Sequence, residues 1–447
     1  MSELKTISRH AASVLAGQLA TMAFGVTDTI VAGRYAESSL AALSVGSAIY
    51  MSVYVALMGV MQALLPIWAE LHGANRPAQL GRSFRQALYL CAIAMAVGMT
   101  VLLTPAPLLD WSEVPLTLRG EVLRYLAVLA LALPPSLLFR LYSTLNQSLG
   151  KPLLVTWLQI GSLFIKVPLS IWFTFGGLGL EPQGVVGCAW ATLVVHYSML
   201  ALALWLLRTR PLYQPYRLWD ALEKPDWKAL AVFARLGVPS GLAILVEVTS
   251  LTLMALFIAR LGTVAAASHQ IAANLAAVLY MVPLAIGIAT SARTSYWLGA
   301  GHWHKARQAI RLGLMLATGC AVLLSGTLML VRESLAHLYA RSPEVIALTV
   351  PLLAWIAAYH LFDGIQALGV FVLRCFRITF VPLLVYGLLL WGMGLYGGYL
   401  LAYQGLGAWP AMQAPTAFWI TGSAALTLAA LIFWFMIWQI MKREQLP

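Results

Sequence analysis

Charged residues are scarce in this chain of 447 residues, at 10% of the total. Soluble domains carry about 25%, so the composition excludes an ordinary soluble protein. The four cysteines form no CxxC pair, which gives no basis for a zinc ribbon or a disulfide framework. The sequence also lacks a phosphate-binding loop, a nucleophile elbow and a run of metal ligands. We therefore predict that the protein is not an enzyme and needs no cofactor.

Hydrophobic residues, by contrast, make up 61% of the chain, and the mean hydropathy is +0.83. A helical run of about 20 apolar residues crosses the ~30 Å hydrocarbon core of a bilayer. Twelve such runs carry little or no charge, and they begin near residues 11, 43, 87, 124, 153, 185, 231, 266, 311, 346, 378 and 417. This pattern predicts an all-α polytopic membrane protein with twelve transmembrane helices.

Basic residues are concentrated in alternate loops between these runs. When the N-terminus is placed in the cytoplasm, most of the 28 Lys and Arg residues fall in cytoplasmic loops, as the positive-inside rule requires. The net charge of +12 therefore reflects topology and does not indicate nucleic-acid binding. We expect a multi-pass protein in the lipid bilayer of the cell inner membrane, with both termini in the cytoplasm.

The longest polar interruption, Arg208–Lys228, divides the twelve predicted helices into two sets of six. A shift of 226 residues aligns the two halves without a gap and places Arg9 on Arg235, Arg34 on Arg260 and Gly161 on Gly387. Repeated matches at one shift indicate a duplication, and an even number of helices per half makes the repeats parallel. We predict an N-terminal six-helix bundle at 1–207, a cytoplasmic linker at 208–230 and a C-terminal six-helix bundle at 231–447.

Three carboxylates, Asp28, Glu247 and Asp363, each stand alone within a long apolar stretch. An ionised acid there costs ~2.5–3.5 kcal/mol on insertion scales, so such residues are rare and typically mark ion or substrate pathways. We predict that Glu247, Asp363 and Asp28 couple transport to a cation. The carboxyl groups either exchange protons or, at Glu247 and Asp363, hold Na⁺ with help from hydroxyls such as Thr249. The structural alternative is a neutral acid that caps a nearby backbone group.

Several segments resemble the MATE (multidrug and toxic compound extrusion) family, and its NorM branch most closely. They follow the family's order along nearly the whole chain: VTDTIVAGR (Val26–Arg34), LPIWAELHGA (Leu65–Ala74), KVPLSIWFTFGGLGLEPQGVVGCAWAT (Lys166–Thr192), LVEVTS (Leu245–Ser250), SHQIAAN (Ser268–Asn274), GIATSARTSYWLGAG (Gly287–Gly301) and FDGIQALGVFVLRCFR (Phe362–Arg377). The resemblance implies two six-helix bundles that form a V-shaped central cleft.

The resemblance also implies a function. MATE proteins are secondary active antiporters that export cationic, amphipathic drugs and dyes in exchange for Na⁺ or H⁺ by alternating access. Their coupling acids map onto Asp28, Glu247 and Asp363 of this chain. The same acids serve either ion, and the NorM likeness favours Na⁺. We expect a monomer.

One departure from the family concerns Asp28. Lys166 and Ser170 stand where the family has asparagines in its fifth helix, so the first bundle contains a positive charge. Asp28 is therefore either a proton site that governs a drug pocket in this bundle or the partner of Lys166 in a structural ion pair.

The remaining candidates for the cleft are Arg140, His360, Gln270, Asn274 and Thr249. We expect Arg140 either to form an ion pair or to line the cleft. We expect His360 either to relay protons or to make a hydrogen bond where helices pack. Gln270 and Asn274 either make hydrogen bonds in the cleft or join helices. The alternative function is a flippase for a lipid-linked precursor. A flippase would need a basic cleft, whereas the sequence offers two basic residues, Arg140 and Lys166, within spans that hold three acids.

Overall fold

A computed structural model describes residues 2–111, 115–177, 179–405, 407 and 410–442. The described chain is built from helices: α1 Glu3–Tyr35, α2 Glu37–Gln62, α3 Leu65–Gly73, α4 Pro77–Leu103, α5 Ala106–Trp111, α6 Leu116–Ser148, α7 Leu153–Phe175, α8 Val185–Thr209, α9 Trp227–Ala259, α10 Thr263–Gly299, α11 Trp303–Tyr339, α12 Pro343–Cys375, α13 Phe380–Tyr386, α14 Gly397–Tyr403 and α15 Thr416–Lys442. A 3₁₀ helix covers Pro211–Tyr216, and a π-helix covers Gly387–Tyr396.

Within the described residues, twelve helical segments are long and apolar enough to cross a membrane. Two of them are composite: α2 runs on through α3, and α13, the π-helix and α14 form one segment, Phe380–Tyr403. Helices suit this environment because they satisfy every backbone hydrogen bond internally, where lipid offers no partner. The prediction of an all-α polytopic membrane protein with twelve transmembrane helices is confirmed.

Contacts between residues divide the chain into an N-terminal unit, Ala16–Gly241, and a C-terminal unit, Met1–Leu15 with Leu242–Pro447. The predicted boundaries at 207 and 231 follow the order of the sequence, and the contact units depart from them in two places. The first turns of α1 belong to the C-terminal unit, and the linker with the first turns of α9 belongs to the N-terminal unit.

In the N-terminal unit, α6 is the central helix and packs against α2, α4 and α8. The start of α9 lies close to α2, because two glycines face it. A Cβ atom added at Gly241 would lie 2.4 Å from the carbonyl oxygen of Ala56, and one at Gly237 would lie 2.7 Å from Cγ1 of Val60. The Gly237–Gly241 spacing, four residues on one face of α9, therefore allows close helix packing.

In the C-terminal unit, α12 is central and packs against α10, α11 and α15. The start of α1 is fixed here by both apolar and polar contacts. Ile7 and Ala11 are buried in the core of the unit. The Glu3 carboxylate accepts hydrogen bonds from Arg293 Nε at 2.7 Å, Arg293 Nη2 at 2.8 Å and Trp297 Nε1 at 3.1 Å.

The linker is tied to the N-terminal unit through the beginning of α4. Glu223 forms a two-pronged ion pair with Arg85, whose Nε lies 2.9 Å from Oε2 of the glutamate. Gln86 Nε2 donates to the Lys224 carbonyl at 3.0 Å, and Tyr89 donates to the Glu223 carbonyl at 2.8 Å. The Arg85 guanidinium lowers the pKa of Glu223 to about 2. This carboxylate therefore stays charged, and stays paired, throughout the physiological pH range.

Candidate ion-coupling site

Asp363 lies on α12, and its side chain is buried in the C-terminal unit. One turn further along the helix, Gln366 donates a hydrogen bond from Nε2 to Oδ1 of Asp363 at 2.8 Å. The Oε1 atom of Gln366 in turn accepts a hydrogen bond from the hydroxyl of Tyr386. Tyr386 is the last residue of α13, next to the π-helix. Gln366 is thus held from both ends and orients the carboxylate.

Glu247 lies near the middle of α9 and is only partly buried. Its carboxylate is close enough to Asp363 for the two groups to interact electrostatically, and the hydroxyls of Tyr280 and Tyr359 are near both acids. Trp391 of the π-helix donates to the Val246 carbonyl at 3.1 Å and so attaches this segment to α9 beside Glu247. The structure therefore places Glu247 and Asp363 within electrostatic range of each other, and their role in ion coupling stays a prediction.

Neither acid forms a salt bridge among the described residues. One cationic group, Arg374 in the last turn of α12, interacts electrostatically with Glu247. This guanidinium is buried beside the Phe371 ring, 4.8 Å from its centroid. Its Nε and Nη1 atoms have no hydrogen-bond partner. The site thus combines two carboxylates with one incompletely paired arginine.

Asp28 and Lys166 form an ion pair in the N-terminal unit, with 2.7 Å between Oδ1 and Nζ. The Lys166 side chain is completely buried, and its ammonium also donates to Thr192 Oγ1 at 2.7 Å and to the Cys188 carbonyl at 3.0 Å. All three ammonium protons are therefore used. Ser170 donates a second hydrogen bond to Asp28 Oδ1 at 3.2 Å. The carboxylate of Asp28 is neutralised from within the protein.

Arg140 and His360 are both buried, but neither joins the pair of acids through a hydrogen bond described here. Arg140 lies in the N-terminal unit, where its Nη2 donates to Gln62 Oε1 at 2.9 Å. His360 lies on α12 with Nε2 unpartnered. Its role as a proton relay stays a prediction.

The last three candidates make local contacts. Gln270 Nε2 donates to Asn274 Oδ1 at 3.2 Å, and both side chains lie on an exposed face of α10. Thr249 donates to the Leu245 carbonyl at 2.6 Å, one turn back on its own helix. Its proton is therefore used, while its oxygen lone pairs remain able to face an ion. The assignment of these three residues to the site stays a prediction.

A family model named MatE matches residues 14–172 and 239–400, which together make up more than half of the chain. The chain belongs to the MATE family. The two matched segments begin 225 residues apart, in agreement with the 226-residue shift between the halves.

Relatives of this MATE protein match along nearly its full length. A probable multidrug resistance protein NorM from Aromatoleum aromaticum is 36% identical over 98% of this chain and 94% of its own. The multidrug resistance protein PmpM from Pseudomonas aeruginosa is 32% identical over 93% and 86%. The crystal structure of the eukaryotic MATE transporter AtDTX14 superposes with a TM-score of 0.88 over 98% and 97%, at 18% identity. The NorM-like recognition and the MATE fold are thus confirmed.

Proposed function

We propose that this MATE protein is a secondary active antiporter of the inner membrane that exports cationic, amphipathic drugs in exchange for Na⁺ or H⁺. One observation carries the proposal. Glu247 and Asp363 interact electrostatically, and within the described residues neither of them forms a salt bridge. Several relatives bear the names of multidrug resistance proteins, which supports drugs as substrates. We propose that both termini lie in the cytoplasm, on the distribution of Lys and Arg between the loops.

A cation is the ligand that this arrangement favours. Two carboxylates within electrostatic range repel each other, and binding of Na⁺ or a proton by either acid relieves that repulsion. Among the described residues, no third acidic residue, His or Cys completes a metal-binding cluster. Na⁺ would therefore take its remaining ligands from neutral oxygens. The hydroxyls of Tyr280 and Tyr359 are candidates, because both interact electrostatically with Glu247 and Asp363.

Coupling requires that the ion bind one conformation more tightly than the other. Ion binding from outside would favour the outward-open state and weaken drug binding, and by linkage the drug would weaken ion binding equally. Exchange of one monovalent cationic drug for one Na⁺ or H⁺ moves no net charge, so the energy comes from the concentration gradient of the ion. A tenfold ion gradient supplies about 1.4 kcal/mol and sustains roughly a tenfold drug gradient. Gln366 and Tyr386 contribute by orienting Asp363.

Ethidium efflux from proteoliposomes, driven separately by a Na⁺ gradient and by a pH gradient, tests this proposal. We expect wild-type protein to export ethidium under one of the two gradients, which names the ion. The variants Glu247→Gln and Asp363→Asn should abolish that efflux. The matched control is Asp226→Asn, which removes a carboxylate from the linker at a distance in sequence from both acids, and it should retain efflux.

Absence of efflux under both gradients, in protein that elutes as a single folded species, would refute the antiporter proposal. A lipid-scrambling assay on the same vesicles would then test the flippase alternative. Equal efflux by Asp363→Asn and wild type would refute the site while leaving the function intact.

A further inference from the structure

A cavity of about 250 Å³ lies in the N-terminal unit, where the linker meets α4, α6 and α8. Its floor consists of buried side chains, among them Phe84, Leu141, Ala203, Leu207 and Leu218. This floor offers an occupant few hydrogen bonds, and an apolar cavity of this kind binds apolar molecules in preference to water. It is separate from the acids of the coupling site, which lie in the C-terminal unit.

The mouth of the cavity is formed by exposed lining residues. Leu204 of α8 is 43% exposed, and Trp219 and Leu222 of the linker are 54% and 52% exposed. Leu202 and Trp205, beside Leu204 on the same helix, are also exposed, as expected for a surface in contact with lipid. The cavity therefore opens at the level where the lipid-facing side of α8 meets the linker.

Polar groups at the mouth match the headgroup of a phospholipid. The guanidinium of Arg208 lies over the Trp219 ring, 5.8 Å from its centroid, and Trp219 Nε1 donates to the Leu207 carbonyl at 3.3 Å. Tryptophan is typical of the membrane interface, and arginine is well suited to bind phosphate. The exposed carboxylate of Asp220 lies at the same rim and complements an ammonium group.

We propose that this cavity binds one acyl chain of a phospholipid of the cytoplasmic leaflet, with the lipid phosphate at Arg208. In phosphatidylethanolamine, the ammonium group pairs with Asp220. The bound lipid then joins α8 to the linker that connects the two repeats. The leaflet follows from the cytoplasmic position of the linker, and the site itself does not depend on which ion or drug is transported.

Photo-crosslinking tests the site in full-length protein. The protein is reconstituted in phosphatidylethanolamine vesicles with a trace of the same lipid carrying a diazirine on its acyl chain, and label on residues 200–222 is measured by mass spectrometry. We expect Leu204→Trp, which fills the mouth, to lower this label about tenfold, as for a loss of burial of about two methylene groups. The matched control is Leu202→Trp, because Leu202 is 45% exposed on the same helix but does not line the cavity.

A second variant probes the headgroup without adding bulk. Arg208→Gln should lower the label severalfold with either phosphatidylethanolamine or phosphatidylglycerol. Asp220→Asn should lower it with phosphatidylethanolamine alone. Label that is equal in wild type, Leu204→Trp and Arg208→Gln would identify the lipid as part of the unspecific annulus and overturn the proposal. Label that excess ethidium displaces would assign the cavity to a drug instead and would equally overturn it.

Discussion

Removal of Lys166 should destabilise the N-terminal unit more than removal of its partner Asp28. In Lys166→Met, the carboxylate of Asp28 keeps the hydrogen bond from the Ser170 hydroxyl at 3.2 Å but loses the charge that balances it. An uncompensated buried charge of this kind costs ~3–5 kcal/mol. For a unit of this size, each 1 kcal/mol lowers Tm by about 2–4 °C, so we expect Tm to fall by roughly 10 °C.

Asp28→Asn should cost less, because the ammonium of Lys166 retains Thr192 Oγ1 at 2.7 Å and the Cys188 carbonyl at 3.0 Å. The ammonium is still left without a counter-ion, so the cost should fall at the lower end of the same range, about 3 kcal/mol. The double variant leaves no buried charge unpaired. Its Tm should return to within a few degrees of wild type, since replacing both members of a buried pair is often neutral.

The assay is thermal unfolding in detergent, followed by fluorescence-detected size exclusion, for wild type, both single variants and the double variant. Ethidium efflux by the same four proteins separates structure from coupling. If Asp28 and Lys166 form a purely structural ion pair, the double variant should recover both stability and efflux. If the double variant is as stable as wild type but inactive, Asp28 is a coupling residue. If Lys166→Met has the same Tm as wild type, the greater loss of stability that the contacts predict for removal of Lys166 is wrong.

Three further predictions concern other contacts. Gln366→Leu removes a hydrogen bond that stabilises the charged form of Asp363, so with H⁺ as the coupling ion the H⁺ concentration for half-maximal efflux should fall about tenfold, the effect of ~1.5 kcal/mol. With Na⁺ as the ion, loss of the fixed carboxylate orientation should instead raise the half-maximal Na⁺ concentration; unchanged ion dependence would contradict both. Because the pKa of Glu223 is lowered to about 2, its pairing is complete above the ordinary glutamate pKa of about 4.3 and is lost as pH falls toward 2. Tryptic cleavage of the linker should therefore be constant from pH 6 to 8 in wild type and faster in Glu223→Gln. Gly241→Ala places a Cβ 2.4 Å from a carbonyl and should cost ~1–3 kcal/mol in thermal unfolding, whereas Gly319→Ala meets no atom within 4 Å and should cost nothing measurable.

The helices and the pair of acids could be predicted from the sequence because both depend on composition along one stretch of chain. Apolar runs fix the spans, and an isolated charge within a run is conspicuous whatever the tertiary structure. The partnership of Asp28 with Lys166 was left as one of two alternatives, because sequence shows that both charges are buried but not that they meet. The V-shaped cleft and the monomer stay predictions.

The partners of Asp363 were missed for different reasons. Gln366 lies three residues after Asp363, on the same face of a helix, so the spacing was available as a signal. Tyr386 approaches from another helix, and no local pattern indicates it. Arg374 lies near the end of an apolar run, where a basic residue typically belongs to a cytoplasmic loop. In the structure it is the penultimate residue of α12 and is buried.

The acids of the two halves of the duplicated chain do not correspond to each other. At the 226-residue shift, Asp28 and Lys166 correspond to Met254 and Gly392, and Glu247 and Asp363 correspond to Thr21 and Leu137; each pair is thus confined to one half.

At the same shift, Arg140 corresponds to Gln366 and Tyr54 corresponds to Tyr280. In both halves these positions hold polar side chains that are buried or partly buried and that interact with other polar residues of the same unit. The N-terminal unit pairs its acid with a lysine, whereas the acids of the C-terminal unit are left without a salt bridge among the described residues. A cation that is exchanged during transport needs acids of the second kind. We therefore place the coupling ion in the C-terminal unit and expect the N-terminal unit to contribute no exchangeable charge.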